Sequence, residues 1–123
     1  MDGVDLVFHQ FPGRRTADPF AGRSPGQSSA RRVILEPVPT RTPHRHPHSE
    51  EVYFVSEGRG RVWIDGEQHP LQPGSWVRIP AGVPHATLPY ERMTLVCFFP
   101  HPRLEDNIEE LDTILEAKEE PHG

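Results

Sequence analysis

The 123-residue sequence has the length of a single domain built around one hydrophobic core. Hydrophobic residues make up only 34% of it, and 15 prolines and 10 glycines divide it into short segments. Because proline interrupts helices, this distribution excludes a helical bundle and favours β-structure. The arginines lie singly or in pairs, never as a run that would follow a phosphate backbone, so nucleic acid is not an expected partner.

The net charge of -5 is concentrated at the end of the chain, where residues 103–123 hold eight of the 18 acidic residues. No apolar stretch approaches the roughly 20 residues of a membrane span, and the N-terminus lacks the pattern of a signal peptide. We therefore expect a soluble, cytoplasmic protein without a membrane partner. The single Cys97 lies within the apolar run LVCFF, which predicts a buried, inert thiol.

In chain order, residues 1–31 are expected to form an N-terminal arm, with an edge strand over VDLVF followed by a loop. Residues 32–100 contain eight short β-rich runs separated by Pro, Gly and Asp-Gly, a pattern typical of an antiparallel sandwich or barrel. Asp65-Gly66 predicts a hairpin turn. MTLVCFF is apolar on both faces, which predicts a central strand or a subunit contact.

After Pro102 the periodicity changes. Leu104, Ile108, Leu111 and Leu115 recur at helical spacing, and acidic residues fill the other face. This pattern predicts one amphipathic α-helix over residues 103–119, packed onto the barrel within a single domain.

Histidines cluster in the segment TPHRHPHSEE. Residues two apart in a strand point the same way with Cα atoms ~6.6 Å apart, so His44 and His46 can converge on one point. A turn over residues 47–50 would let Glu51 open the next strand and face the same interior. Two alternatives remain at this point: a pair formed by His46 and His48, and an exposed loop without function.

The wider spacing carries a resemblance. From His44 the sequence reads H-x-H, four residues, Glu51, six residues and Gly58; fifteen residues later comes G-x5-P-x-G-x2-H, ending at His85. These two stretches resemble the two signature motifs of the cupin superfamily. The resemblance implies an antiparallel double-stranded β-helix, or jelly-roll barrel. It also implies one divalent transition metal (iron, manganese, nickel, copper, cobalt or zinc) held by His44, His46, Glu51 and His85.

Strand alternation from Glu51 places Tyr53 on the interior. Tyr53 is therefore the candidate for a hydroxyl that contacts substrate or supports a ligand, the alternative being a core aromatic whose hydroxyl binds backbone. His48 is expected to be a bystander. The apolar runs VDLVF and MTLVCFF predict a homodimer, because unpaired edge strands invite pairing with a second copy.

These features favour a metal-dependent enzyme that acts on a small organic molecule inside the barrel. Oxygenase-like chemistry is the leading hypothesis, because four protein ligands leave coordination positions open for both dioxygen and a chelating substrate. The alternatives are a non-redox isomerase, cyclase or lyase, and a cupin that binds a small ligand without catalysis.

Overall fold

The computed structural model describes residues 6–20 and 27–117, and these residues form β-strands with one short 3₁₀ turn at Leu104–Asp106. All strand pairs are antiparallel, as the sequence predicts for this all-β protein. The strands are β1 (Phe8–Phe11), β2 (Arg14–Ala17), β3 (Ser29–Leu35), β4 (Thr40–Arg41), β5 (His44–Arg45), β6 (Glu51–Glu57), β7 (Gly60–Ile64), β8 (Glu67–Leu71), β9 (Trp76–Ile79), β10 (His85–Pro89), β11 (Met93–Phe99), β12 (Glu109–Glu110) and β13 (Leu115–Glu116).

The strands form two main sheets. One has six strands in the order β1-β2-β3-β11-β6-β9, and the other has five in the order β12-β5-β10-β7-β8. Strands β13 and β4 form a separate two-stranded ladder. Neighbours in a sheet are often distant in sequence, so the chain crosses repeatedly between sheets, as in a jelly roll.

The core follows the period-two alternation of the strands. In β6, Glu51, Tyr53 and Val55 are buried, whereas the residues between them are partly exposed. Because Glu51 begins this inward row, the strand carries an acidic group into the apolar interior. The buried hydrophobic cluster comprises Val33, Leu35, Tyr53, Val55, Val62, Leu71, Val77, Ile79, Met93, Leu95, Cys97 and Phe99.

Two local predictions are confirmed. Asp65 and Gly66 form a two-residue turn between β7 and β8, with φ of 45° and 94°, and Ile64 pairs with Glu67 across it. Positive φ at both positions is the geometry of a type I′ hairpin. Strand β11 lies between β3 and β6, so MTLVCFF is a central strand, one of the two predicted alternatives.

The start of the N-terminal edge strand differs from the expectation. Strand β1 is an edge strand, but it begins at Phe8, later than the alternation in VDLVF suggests. The first two residues of that run, Val4 and Asp5, lie outside the described residues.

The predicted C-terminal helix is wrong over residues 103–117. Only the 3₁₀ turn is helical there; β12 pairs with β5, and β13 pairs with β4. A helix would place Glu105 beside Glu109 and Asp106 beside Glu110, and like charges four residues apart destabilise helices. Pairing with the barrel outweighs the helical spacing of the leucines. Residues 118 and 119 of the predicted helix lie outside the described part of the chain.

Several large apolar side chains lie on the outside. Trp76 is 67% exposed and Phe98 is 47% exposed. The ring of Phe54 packs against Trp76 with centroids 4.8 Å apart. Within residues 6–20 and 27–117, no helix is long and apolar enough to cross a bilayer.

Candidate metal centre

Four side chains converge where the two sheets face each other. His44 lies in β5, His46 directly follows it, Glu51 begins β6 and His85 begins β10. One potential ligand atom from each lies within 4.8 Å of every other. His46, Glu51 and His85 are buried, and His44 is partly exposed. The structure thus brings together the four residues that the two motifs indicate.

Backbone pairing fixes the relative positions of the ligands. His44 of β5 is the register partner of His85 of β10, and their rings lie 4.4 Å apart between centroids. The His46 ring lies 5.0 Å from His44 and 5.1 Å from His85. Three imidazoles therefore surround one point, although β5 itself is only two residues long.

Two of the imidazoles are oriented by backbone carbonyls. Nδ1 of His46 donates to the carbonyl oxygen of Asn107 at 2.7 Å, and Nδ1 of His85 donates to that of Val83 at 3.0 Å. A histidine that donates from Nδ1 presents the lone pair of Nε2 to its other side. Both Nε2 atoms face the same carboxylate oxygen, Oε1 of Glu51, at 3.2 Å and 3.0 Å.

This arrangement fits a cation. Lone pairs on two nitrogens that face a carboxylate oxygen at such distances repel one another unless a proton or a metal ion lies between them. Three imidazole nitrogens and one carboxylate oxygen are a suitable ligand set for a divalent first-row transition metal. The carbonyl acceptors behind His46 and His85 are the outer partners that usually orient metal-binding histidines.

The electrostatics of the site also suit metal ligands. Burial, followed by the charge of His85, lowers the pKa of His44 to about 3, so its imidazole is neutral. Burial alone would raise the pKa of Glu51, but hydrogen bonds donated by Nε2 of His46 and His85, when those atoms carry protons, hold it well below its ordinary value. A metal ion in the place of those protons would also favour the ionised carboxylate. The site therefore offers the neutral imidazole of His44 and the ionised carboxylate of Glu51, which are forms that bind metals.

Aromatic and thiol side chains form the floor of the site. The ring of Phe99 lies 4.7 Å from that of His46. Cys97 is buried, and burial together with the charge of Glu51 raises the pKa of its thiol well above the ordinary value. The thiol is therefore neutral at physiological pH, as predicted for an inert cysteine.

Tyr53 lies on the interior face that it shares with Glu51. Its hydroxyl is hydrogen bonded to the side chain of Thr87 at 2.9 Å. The partner is thus a second side chain on the cavity wall, where the alternative interpretation expected backbone. Burial raises the pKa of Tyr53, which keeps the phenol protonated.

His48 is separate from the four ligands. It is exposed, and its ring stacks on that of His101 with centroids 5.5 Å apart and planes at 19°. The alternative pairing would have put His48, and not His44, beside His46 in the cluster, but the cluster contains His44. The structure thus favours the first interpretation of the histidine cluster.

Asn107 is a site residue that the sequence did not indicate. It is 0% exposed, its Oδ1 accepts from the backbone N–H of His48 at 2.7 Å, and its Nδ2 donates to Oγ of Ser49 at 2.7 Å. Together with its carbonyl bond to His46, these contacts fasten the segment after β11 to the loop that carries the ligands. No sequence signal could have identified it, because the segment was predicted to be an amphipathic helix and 61 residues separate Asn107 from His46.

The ligands line a cavity of about 1410 Å³. Its walls combine apolar residues with polar ones, and Arg14 and Arg41 are among the latter. Sequence reasoning did not single out these arginines either, since nothing in the local pattern places residues 14 and 41 beside the histidines. Apolar lining residues include Leu6, Val33, Leu35, Leu95, Ile108 and Ile114.

An antiparallel jelly roll with three histidines and one glutamate converging in its cavity defines a class of small β-barrel proteins with a candidate metal centre. The sequence model of the cupin domain matches residues 31–97, more than half of the chain. The chain therefore belongs to the cupin family.

Curated relatives match parts of the chain. An uncharacterized protein of Methanocaldococcus jannaschii is 38% identical over 60 residues, which cover 48% of this chain and 46% of that protein. The dimethylsulfoniopropionate lyase DddQ of Ruegeria pomeroyi is 40% identical over 78 residues, covering 60% of this chain and 35% of the lyase. The chain thus spans less than half the length of either relative.

Solved structures share the fold at low identity. An oxalate decarboxylase from Lactobacillus farciminis in a formate complex superposes with a TM-score of 0.71 at 23% identity, covering 87% of this chain and 34% of that one. A mutant salicylate 1,2-dioxygenase from Pseudoaminobacter salicylatoxidans, in complex with gentisate, gives 0.72 at 19% identity, covering 84% and 30%. At these identities the likeness shows the fold alone.

Proposed function

We propose that this protein is a metal-dependent enzyme that carries out oxygenase-like chemistry on a small organic molecule. The observation that carries the proposal is the convergence of His44, His46, Glu51 and His85, with two Nε2 atoms within 3.2 Å of one carboxylate oxygen. Four protein ligands fill only part of the coordination sphere of a transition metal that favours six. The metal would supply a Lewis-acidic centre with free positions and, for a redox ion, one-electron chemistry with dioxygen.

The surrounding residues have defined tasks in this proposal. The carbonyls of Asn107 and Val83 hold the Nδ1 protons of His46 and His85, so both rings keep the orientation that presents Nε2. Tyr53 retains its proton and contacts Thr87, so it can orient a substrate oxygen by hydrogen bonding. Apolar walls exclude water from the substrate.

Metal content and oxygen uptake test the proposal directly. Protein purified without a histidine tag is expected to contain about one transition metal per chain by elemental analysis. It should consume oxygen with at least one member of a panel of catechols, flavonols, β-diketones and cysteine. The uptake should disappear after chelation and in the His46→Ala/His85→Ala double variant. Full metal retention in that variant would contradict both the ligand assignment and the enzyme proposal.

A non-redox lyase is the second candidate. It is favoured by the relative with the longer alignment, the lyase of Ruegeria pomeroyi, at 40% identity over 78 residues. A lyase would cleave a carbon–heteroatom bond of its substrate and form a double bond, without using dioxygen. Metal-dependent turnover of such a substrate under anaerobic conditions would favour the lyase over the oxygenase.

We also propose that the protein forms a homodimer in solution. The proposal is supported by edge strand β1 and by exposed Trp76 and Phe98 on the six-stranded sheet. Sedimentation at micromolar concentration is expected to give a species of twice 14.0 kDa. A stable monomer under those conditions would contradict the dimer.

A further inference from the structure

Among the described residues, three arginines line the cavity that contains the four metal-site residues: Arg14, Arg31 and Arg41. Arg31 has acidic partners, since its guanidinium lies 3.8 Å from Asp18 and 3.2 Å from Glu105. Neither Arg14 nor Arg41 forms a salt bridge with an acidic residue in the described part of the chain. The cavity wall thus carries two cations whose charges the described residues leave uncompensated.

Arg14 projects from β2 into the cavity. Arg14 and Thr16 line it, whereas Arg15 between them does not, as strand alternation requires. The guanidinium carbon lies 4.8 Å from the centroid of the Phe11 ring. Nε of Arg14 is buried and has no hydrogen-bond partner among residues 6–20 and 27–117. A buried donor without a partner costs free energy, so the described chain leaves this guanidinium incompletely hydrogen bonded while the side chain lines the cavity.

Arg41 is a second cation in the same wall, held by the backbone. Its Nη2 donates to the carbonyl oxygens of Glu36 at 3.2 Å and Gly13 at 3.4 Å, and its Nε is also buried without a partner in the described chain. Burial, and then the charge of Arg14, lower its pKa to about 10. Arg41 therefore remains a cation at neutral pH, close enough to Arg14 for their charges to repel.

The charge balance of the cavity indicates the kind of ligand that would fill it. A divalent metal would neutralise Glu51, and Asp18 and Glu105 already compensate Arg31. Glu110 also lines the cavity, but it is exposed and lies in β12, where it faces His44 in register. With a divalent metal bound, the described lining residues and the metal together carry a net positive charge, and guanidinium groups bind carboxylates with paired hydrogen bonds.

We infer that Arg14 and Arg41 form an anion-binding site for the carboxylate of an organic acid whose other end reaches the metal centre. This inference rests on the proposed function and specifies its substrate class. The apolar wall formed by Leu6, Val33, Leu35 and neighbouring residues fits a hydrocarbon body between the two ends of such an acid. The substrate is therefore a small carboxylic acid with an apolar middle, and Arg14 is a binding residue.

A comparison of acids with their uncharged amides isolates the contribution of the arginines. Benzoate, phenylacetate and succinate are titrated into the full-length protein by calorimetry, each beside benzamide, phenylacetamide or succinamide. At least one acid is expected to bind about tenfold or more tightly than its amide, the range of a charge-assisted hydrogen bond. Arg14→Gln should remove that preference, and Arg14→Lys should restore part of it.

Arg15→Gln is the matched control, because Arg15 occupies the next position of the same strand outside the cavity, with its guanidinium near the ring of Phe8. It should leave the preference unchanged. Thr16→Glu adds a negative charge to the cavity face without removing Arg14. It should weaken acid binding and spare amide binding, which tests the site even if Arg14→Gln does not fold.

Three results would overturn the inference: no acid preferred to its amide in the unmodified protein, a preference that persists in Arg14→Gln, or an equal loss in Arg15→Gln. Tighter binding of inorganic phosphate than of all three acids would overturn the carboxylate assignment. The titrations are repeated on metal-stripped protein, with metal content measured in every sample. If no metal is bound, the dependence on Arg14 still decides the anion site, so its failure is distinguishable from failure of the metal proposal.

Discussion

His85 and His46 present the same atom to the same carboxylate, but the chain holds them in opposite ways. The Nδ1 of His85 donates to Val83, two residues before it, in a turn where Val83 N–H donates to Pro80 at 3.3 Å. The Nδ1 of His46 donates to Asn107, 61 residues away. One ligand is therefore oriented by local backbone geometry and the other by a contact that only the completed fold can provide.

The difference explains which structural changes each ligand should tolerate. Pro80 and Pro84 restrict the turn before His85, and Gly82 allows its positive φ, so much of the pose of His85 follows from local backbone geometry. His46 depends on the 3₁₀ turn, on buried Asn107 and on the pairing of β12 with β5. Changes in the C-terminal segment should therefore act on His46 and spare His85.

Removing a ligand should have the largest effect on metal affinity, and the size of the loss should not depend on how the chain orients that ligand. His46→Ala and His85→Ala are each expected to weaken metal binding more than about 100-fold, beyond the range for outer partners. His48→Ala, which removes an exposed imidazole three residues before Glu51, should change affinity little. Competition with a chelator of known affinity measures all three. Equal losses in His48→Ala and His46→Ala would contradict the assignment.

The second-largest effect is expected for Asn107→Ala, which should disturb His46 more than His85. The substitution removes the bonds to His48 N–H and Ser49 Oγ that hold the His46 loop, so metal affinity is expected to fall by about 10- to 100-fold. The free energy of unfolding of the metal-free protein should fall by about 1 to 3 kcal/mol, because the partly buried N–H of His48 loses its acceptor.

Ser49→Ala is the control for this prediction, since it deletes only one of the two side-chain contacts of Asn107. It should produce the smaller loss in both measurements. Nuclear magnetic resonance signals of the His85 ring in a diamagnetic zinc-loaded sample should be less affected by Asn107→Ala than those of His46. A larger change in the His85 ring signals than in those of His46 would contradict the proposed difference between the two ligands.

Gly82→Ala tests the local turn that positions His85. Gly82 has φ of 79°, and its N–H donates to the carbonyl of His46 at 2.8 Å. An L-residue at this φ costs about 1 to 2 kcal/mol, and the turn that positions His85 should shift, with metal affinity falling by about threefold to tenfold. Gly74→Ala, at φ of 95° in a turn away from the cluster, should lose similar stability without losing affinity. Chemical denaturation and chelator competition distinguish the two effects.

The smallest expected effect is that of Cys97 on the pH dependence of stability. Burial, and then Glu51, raise the pKa of its thiol above the ordinary value of 9.0, so the folded protein keeps the proton when the unfolded chain loses it. Its contribution to stability is fully present below about pH 9 and decreases as the pH rises further. The free energy of unfolding should therefore decline less steeply between pH 9 and 10 in Cys97→Ala. An identical slope in both proteins would contradict this.

The features predictable from the sequence are those that short-range rules encode. Asp65-Gly66 specifies a hairpin through the φ values that its two residues tolerate, and the alternation from Glu51 predicts that Tyr53 faces the interior. The spacing of His44, His46, Glu51 and His85 was informative because the two motifs place each ligand beside a turn or at a strand end. A few neighbouring residues determine the hairpin and the inward row, whereas the set of four ligands was predictable through the resemblance to the two cupin motifs, since 34 positions separate Glu51 from His85.

The features that could not be predicted depend on partners distant in sequence. Leu104, Ile108, Leu111 and Leu115 have helical spacing, but the segment instead supplies short strands that pair with β5 and β4. The sequence of the segment itself does not indicate that it will pair with β5 and β4. Arg14 likewise joins the cavity because β2 lies beside β3, a pairing that periodicity alone does not specify.

The contact between Asn107 and the His46 loop also has a consequence for the order of events during protein synthesis. Translation proceeds from the N-terminus, so all four metal-site residues emerge before residue 107 does. Until then the imidazole of His46 lacks its carbonyl acceptor and β5 lacks one neighbour. A nascent chain that has reached His85 therefore contains every ligand but not the finished geometry. A metal ion that the site would bind therefore meets the finished geometry only after residue 107 has joined the barrel.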